Sequence, residues 1–381
     1  MRDAVIVEAV RTPTGKRNGG LATIQPTDLS AHILRALAER SGIEPADVDD
    51  VIWGCVGQVK EQAHDIARNA VLAAGWPESV PGVTVDRQCG SSQQAVSFAA
   101  ASVIAGHYDL VVAGGVESMS RVPMGSSSGG EWTLGDGFRD RYGDTAPHQG
   151  LGAEMIAERW GFSRRQLDEF SLGSHTKAMA AQDEGRFDGE IAPVTDPAGV
   201  KVLADEGVRR NSSIESLGAL KPAFKPDGVI TAGNASQVSD GASAVLITTS
   251  ERAAELGLTP VVRIHTAVVT GAEPMIMLTG PIPATAKVLK RSGLSIDDIG
   301  VFEVNEAFAP VPLAWLTETG ADGARLNPNG GAIALGHPLG GSGTRLMTTM
   351  IHHLRANNIR YGLQTMCEGG GQANATILEL V

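Results

Sequence analysis

Three side chains able to do thiol chemistry lie among small residues: Cys89 in VDRQCGSSQQA, Cys367 in TMCEGGGQAN, and His337 in NPNGGAIALGHPLGGSG. Six glycines fall between Asn327 and Gly343 around the histidine. That composition reads as a flexible segment rather than a core element, one whose backbone can approach a substrate closely. A nucleophile, a base and a second thiol are what such a set offers. Cys89 follows the β-type run GVTVD and precedes the helical pattern SSQQAVSFAAASVIAG, which places it at a strand-to-helix turn. A helix amino terminus there lowers a thiol's pKa and leaves N–H groups free for an oxyanion. The competing reading, a small buried hydrophobe, is kept for Cys55 in VIWGCVGQ.

His337, between Gly336 and Pro338, suits a base aimed at a thiol, whereas His32, His107, His352 and His353 fit surface or helix positions. Asn305 ends the apolar run VFEVN, where an amide can orient water or meet developing charge, or serve as ordinary turn chemistry.

The elements that must position these groups alternate. Apolar β-rich runs such as AVIVEAV, DDVIWGCV and LVVAGGV are interleaved with helical patterns such as TDLSAHILRALAERSG, which Thr27 or Asp28 could cap. This alternation predicts α/β layers with buried strands. Arg40-Ser41-Gly42-Ile43 before ADVDDVI recurs as Arg291-Ser292-Gly293-Leu294 before IDDIGVF. The segment after Cys89 and Val111–Gly114 find counterparts at Gly341–Gly343 and Gln364–Cys367. Three matches in order predict two duplicated α/β halves that build one site from equivalent strand ends. The expected division is residues 1–117, completed by about 239–259, and residues 260–381. Residues 118–238 form an inserted cap domain whose Arg209, Arg210, Lys221 and Lys225 could hold an anionic cofactor.

With 31 basic and 43 acidic residues the net charge is −12, which opposes binding to nucleic acid or an anionic membrane surface. The three cysteines form neither a disulfide framework nor a zinc spacing, and no apolar run reaches the length of a membrane span, so a cytoplasmic protein without a metal is expected. Neither a phosphate loop nor a GxGxxG is present. The start of a papain-like signature at Cys89-Gly90-Ser91 is set aside because His337 lies much too far downstream.

DRQCGSS around Cys89, VNEAF around Asn305, NGGAIALGHPLGGSG around His337 and CEGGGQ around Cys367, together with GNASQVSDGASAV and TGPIPA, resemble the thiolases in order and spacing along the whole chain. The resemblance implies a five-layered fold of two duplicated α/β halves with a loop domain. It also implies that Cys89 is acylated by a 3-oxoacyl-CoA, and that Cys367 protonates the departing acetyl-CoA enolate and then deprotonates incoming CoA. By the same carry-over His337 activates Cys89 and, with a water on Asn305, stabilises the enolate oxygen, while the N–H groups of Cys89 and Gly369 form a second oxyanion hole. Ser236 and Ala235 of the NAS segment, with His148, Phe224, Met277 and Arg209, would line the path of CoA, a co-substrate rather than a tightly bound cofactor. The carboxy-terminal GGGQANATILEL resembles degradative members, and DRQCGSSQQA those acting on bulky or steroid-derived acyl chains. The alternatives are a biosynthetic acetoacetyl-CoA thiolase and a non-catalytic lipid- or CoA-binding relative. A ketoacyl synthase would lack the second cysteine. Gln149 stands where many thiolases have methionine, and Gly341 replaces the commoner alanine. A homodimer or homotetramer is implied.

Overall fold

The computed structural model describes residues 2–381. Its main strands are β1 (Val5–Arg11), β2 (Asp50–Gly54), β3 (Val83–Val85), β4 (Leu110–Ser118), β5 (Ser239–Thr248), β6 (Val262–Gly271), β7 (Val301–Val304), β8 (Tyr361–Glu368) and β9 (Gln372–Leu380). They hydrogen-bond in the order β7-β8-β9-β6-β1-β5-β4-β2-β3, with the short strand Gly15–Lys16 alongside β5. On one side of the β1–β6 junction β2 runs parallel to β4, and β4, β5 and β1 alternate in direction. On the other side β7 runs parallel to β8, and β8, β9 and β6 alternate likewise. The duplication expected from the sequence is therefore a repeat of strand connectivity.

Helices turn this sheet into layers. The principal ones are α1 (Pro26–Ser41), α2 (Ile66–Ala73), α3 (Ser91–Ala105), α4 (Gln149–Trp160), α5 (Arg164–Asp183), α6 (Pro281–Ser292), α7 (Pro310–Thr319) and α8 (Ser342–Asn357). One core unites Leu29, Ile33 and Leu37 of α1 and Ile66 of α2 with Val51, Trp53 and Val112 of the first half. A central core joins Val96 and Val103 of α3 and Met347, Met350 and Leu354 of α8 to strands of both halves, among them Ile52, Val111, Val301 and Leu378. A third places α6 and α7 against Val268, Val304 and Ile377. The order is helix, sheet, helix, sheet, helix: the five layers expected.

The repeated helix ends share their chemistry. α1 and α6 close on Gly42 and Gly293, with φ of 72° and 77°, a left-handed turn that glycine adopts without a Cβ penalty. The start of α1 differs from expectation. Gln25 is its N-cap and Pro26 occupies the first turn, where a missing N–H costs nothing, so neither Thr27 nor Asp28 caps it.

Between residues 118 and 238 the only strands are the two-residue pair Val194–Thr195 and Lys201–Val202. This stretch is tied to the core by Arg11, whose buried guanidinium meets Glu190 at 2.6 Å and Asp205 at 2.7 Å. Among the described residues no helix is long and apolar enough to cross a membrane.

Candidate active site

Cys89 sits immediately before α3 on a bent turn. Gln88 carries a left-handed φ of 49°, strained for a residue with a Cβ. The bend is held locally: the Gln88 N–H donates to Asp86 Oδ1 at 2.7 Å, and Ser91 Oγ donates to the Gln88 carbonyl at 2.6 Å while accepting the Arg87 N–H at 2.9 Å. Cys367 lies near the end of β8, paired with Ala373 of β9. The hairpin beyond turns through Gly370 and Gly371, both at positive φ, and leaves Gly369 against Gln88, where a Cβ would come within 2.8 Å of Oε1. Asn305 extends β7 by one residue, its N–H donating to the Thr365 carbonyl at 3.1 Å.

The glycine-rich segment around His337 is not flexible. Nearly every residue from Leu326 to Gly343 is buried, and the glycines are there because backbone touches backbone. A Cβ on Gly340 would stand 2.5 Å from the Val116 carbonyl, and one on Gly343 2.3 Å from the Gln93 nitrogen. Thr344 N donates to Ser92 Oγ at 3.0 Å, so α8 and α3 begin side by side and bring the His337 and Cys89 segments to one place.

The imidazole has a defined tautomer. Ser342 Oγ donates to the Pro338 carbonyl at 2.8 Å, so its contact with His337 Nδ1 at 2.6 Å has the ring N–H as donor. Nε2 is left as the acceptor facing Asn305 Nδ2 at 3.3 Å. Burial and the charge of Arg345 push this histidine down to about 3, so it is neutral at physiological pH. The Asn305 amide also faces Cys367, whose thiol burial raises well above its ordinary range, with the nearby Cys89 adding to the rise. His337 and Asn305 are thus in contact, with Cys367 beside the Asn305 amide and Cys89 near enough to raise its thiol.

Cys89 departs from the expected lowered pKa. Burial, reinforced by Glu368, pushes its thiol up to about 12. The N–H groups of Cys89 itself and of Gly369, with the Gln149 side chain, favour the thiolate, yet do not outweigh the loss of water. At rest the pair is thiol and neutral imidazole.

Three acidic residues missed in the sequence surround this geometry, and two of them hold it. Glu117, at the end of β4, accepts from Val56 N, Gly57 N and Gln62 Nε2 and from Gly340 N at 2.9 Å, pinning the histidine segment to the first half. Glu306 accepts from Ser174 Oγ at 2.6 Å, Asn327 Nδ2 at 2.8 Å and Ile333 N at 3.2 Å, fixing the other end of that segment. Glu368 is buried beside Cys89 with neither oxygen partnered by a side chain, facing Arg87 and Asp86, and burial pushes it up to about 8. A carboxyl raised from 4.5 to about 8 on folding stays protonated in the folded chain while the unfolded chain ionises. Stability is therefore full below pH 4.5 and lost as pH rises through that window. Glu368→Gln is expected to match the parent's melting temperature at pH 5 and exceed it by a few degrees at pH 8; a gap that does not open with pH would refute the buried neutral acid.

Of the residues expected to line a CoA path, several converge. His148 caps α4, its Nδ1 accepting the Leu151 N–H at 3.4 Å. Its ring lies 5.5 Å from Phe224, which is 5.8 Å from Phe308. Ala235 bridges Phe308, and Ser236 N donates to the Ala307 carbonyl at 2.9 Å. Met277, at a left-handed φ of 60°, lines a cavity of about 390 Å³ with Gln88, Trp132, Leu134, Gln149, Gly369 and Gly370. Arg209 stands apart: exposed, with its N–H on His175 Nδ1 at 3.2 Å. Arg210 is engaged by Asp183 at 2.7 Å. Cys55 is buried in the core, as expected. Among the described residues no group of three or more histidine, cysteine or acidic side chains could hold a metal ion.

The family model for the thiolase N-terminal domain matches residues 4–251, and that for the thiolase C-terminal domain residues 258–380. The chain belongs to the thiolase family. It is 51% identical over 391 residues to the steroid 3-ketoacyl-CoA thiolase FadA6 of Mycobacterium tuberculosis, an alignment covering 100% of this chain and 94% of that one. A 3-ketoacyl-CoA thiolase of Escherichia coli is 45% identical over the full length of both. The crystal structure of the Bacillus anthracis acetyl-CoA acetyltransferase superposes with a TM-score of 0.92 at 38% identity, covering 100% of this chain and 99% of that one. This thiolase is accordingly an acyltransferase enzyme.

Proposed function

We propose that this 3-ketoacyl-CoA thiolase works in the degradative direction on bulky acyl groups, with the catalytic roles divided among Cys89, His337, Asn305, Cys367 and Gly369. The contact of His337 with Asn305, with Cys367 beside that amide and Cys89 nearby, is the observation that carries the reading. Cys89 gives its proton to Nε2 of His337, the unprotonated ring nitrogen, and attacks the 3-keto carbon. The bond between carbons 2 and 3 breaks, leaving an acyl-Cys89 and an acetyl-CoA enolate that Cys367 protonates. Cys367 then takes the proton of incoming CoA, whose thiolate takes the shortened acyl group, and the Cys89 thiolate released regains its proton from His337. Because the resting thiol and imidazole are both neutral, burial keeps the nucleophile uncharged until substrate arrives, which guards it against stray electrophiles. The N–H groups of Cys89 and Gly369, which bear on the Cys89 sulfur, would meet the developing oxyanion, an interaction worth on the order of a hundredfold in rate per donor.

The insertion at 118–238, with His148, Phe224, Ala235, Ser236 and Met277 at its base and Arg209 on its rim, would cover the pantetheine and nucleotide of CoA. The cavity of about 390 Å³ between Gly369 and Trp132 has room for a branched or ring-bearing acyl group, in keeping with the steroid-directed relative. CoA-dependent cleavage of 3-oxoacyl-CoA thioesters with short, long and ring-bearing chains tests the reading. Activity rising with acyl size supports it, whereas activity confined to acetoacetyl-CoA would move the enzyme to the biosynthetic side.

A homo-oligomer fits the surface. β3 is an edge strand with Val83 exposed, and α3 presents Phe98 and Ile104 to solvent; an open apolar edge of this kind invites a second copy. Sedimentation is expected to give at least a dimer and Phe98→Glu a weakened one; a monomeric parent would remove the assignment.

A further inference from the structure

We propose that Trp132 is a specificity-determining residue of the acyl site, its indole forming the outer wall against which a flat, ring-bearing acyl group lies. This rests on the cavity of about 390 Å³ being the acyl site of the thiolase reading, and it names the group that the cavity takes.

The two sides of that cavity differ in origin. Gln88, next to Cys89 in the chain, and Gly369 and Gly370, just beyond Cys367, belong to the catalytic loops, whereas Trp132, Thr133 and Leu134 come from the inserted segment. An acyl group that enters the cavity past Gln88 and Gly369 therefore finds its far boundary in the insertion. Among the described residues, Trp132 is the one aromatic side chain that lines it. The indole is half-buried, so it keeps apolar surface for a substrate to cover.

A small cluster of its own fixes the orientation of this ring. The helix Asp136–Tyr142 follows directly. Phe138 meets the indole edge-on with ring centres 6.3 Å apart, and Tyr142 tilts against Phe138 at 4.7 Å. The Arg139 guanidinium lies over the indole, 4.8 Å from its centre, and is itself held by Asp136 at 2.8 Å and Asp144 at 2.9 Å. Indole Nε1 donates to the Gly135 carbonyl at 3.2 Å. With the polar atom of the ring satisfied inside the cluster, what Trp132 offers the cavity is carbon. Gly130 and Gly143, both at a φ of 83°, bracket the cluster, and a Cβ on either would have nothing within 4 Å. These glycines serve to turn the chain and not to pack it, so the wall takes its shape from the aromatic contacts.

A flat wall selects by shape. A fused-ring group lays an apolar face on the indole and has no rotors to freeze, whereas a straight chain of equal carbon number must order several bonds to lie there. A four-carbon acetoacetyl group has little apolar surface to place on it.

The test compares parent, Trp132→Phe and Trp132→Ala as whole enzymes, using two substrates: a 3-oxopropanoyl-CoA bearing a naphthyl group on carbon 3, and straight-chain 3-oxodecanoyl-CoA. Trp132→Ala is expected to lower the naphthyl-to-decanoyl ratio of kcat/KM by about tenfold, chiefly through KM, the scale of a lost apolar contact in a substrate pocket. Trp132→Phe, which keeps an aromatic face, is expected to lower it by no more than about threefold. Binding of naphthoyl-CoA, measured by calorimetry with each residue placed in a Cys89→Ala background, reports the wall without turnover and is expected to weaken in the same order. Equal losses for both substrates in the folded Ala variant would make Trp132 a structural residue and overturn the proposal, as would naphthoyl-CoA bound at the parent affinity. The two readings fail separately. A parent that cleaves the naphthyl substrate, with an Ala variant that does so equally well, would remove the wall and leave the degradative reading. A parent confined to acetoacetyl-CoA, with an Ala variant that binds naphthoyl-CoA about tenfold more weakly, would keep the wall and remove that reading.

Discussion

Cys89→Ala is expected to eliminate labelling of the protein by radioactive acyl-CoA and to lower kcat/KM for thiolysis by more than about 10⁴-fold. The magnitude follows from what the turn before α3 provides. The sulfur alone can hold the acyl group, and the donors around it have no substitute atom to act on. What remains after substitution is the contribution of a preorganised oxyanion site and of CoA binding. The side chain loses only a small volume, so folding should survive, and equal melting curves for variant and parent provide the control. Stoichiometric labelling of the Ala variant would move the nucleophile to Cys367 and reverse the two assignments.

Cys367→Ala separates the two thiols. The variant is expected to accept an acyl group onto Cys89 from acyl-CoA, retained through denaturation and found on the peptide containing residue 89, while turnover of 3-oxoacyl-CoA falls by about 10³-fold, within the range for a lost general acid and base. Its thiol is buried, raised in pKa and held beside the Asn305 amide, the setting of a proton carrier rather than of a standing nucleophile. Normal turnover in this variant would show that the second thiol is a core residue and that the proton travels by another route.

How far these residues could be read from the sequence depends on what kind of information each required. Cys89, His337 and Cys367 were visible because each sits beside small residues and Asn305 because it ends an apolar run, whereas Gly369 was named only through the resemblance to the thiolases. The two α/β halves were visible because strand and helix patterns repeat in order, whereas the five layers came from the family resemblance. Glu117, Glu306 and Ser342 were not singled out, since their work is to accept hydrogen bonds from groups distant in sequence, such as Gly340 N for Glu117, and nothing local distinguishes them from solvated polar residues. The glycine-rich run misled for a related reason. The same composition serves a mobile loop and a buried one, and only the neighbouring backbone of β2 and β4 decides between them. The direction of the Cys89 pKa also lay beyond the sequence, because a helix amino terminus is legible locally and burial is not.

The place of β1 in the sheet carries a consequence for biosynthesis. This strand, apolar but for Glu8 and Arg11, is made long before its two neighbours β5 and β6, in which Thr248 and Arg263 pair with Val5. At the usual pace of translation, about 5–20 residues per second, it waits roughly 10–50 s for the first of them, with an unpaired apolar edge throughout. The first half therefore cannot close before the inserted segment has been made, and β1 is the strand that a holding chaperone would shield through that interval.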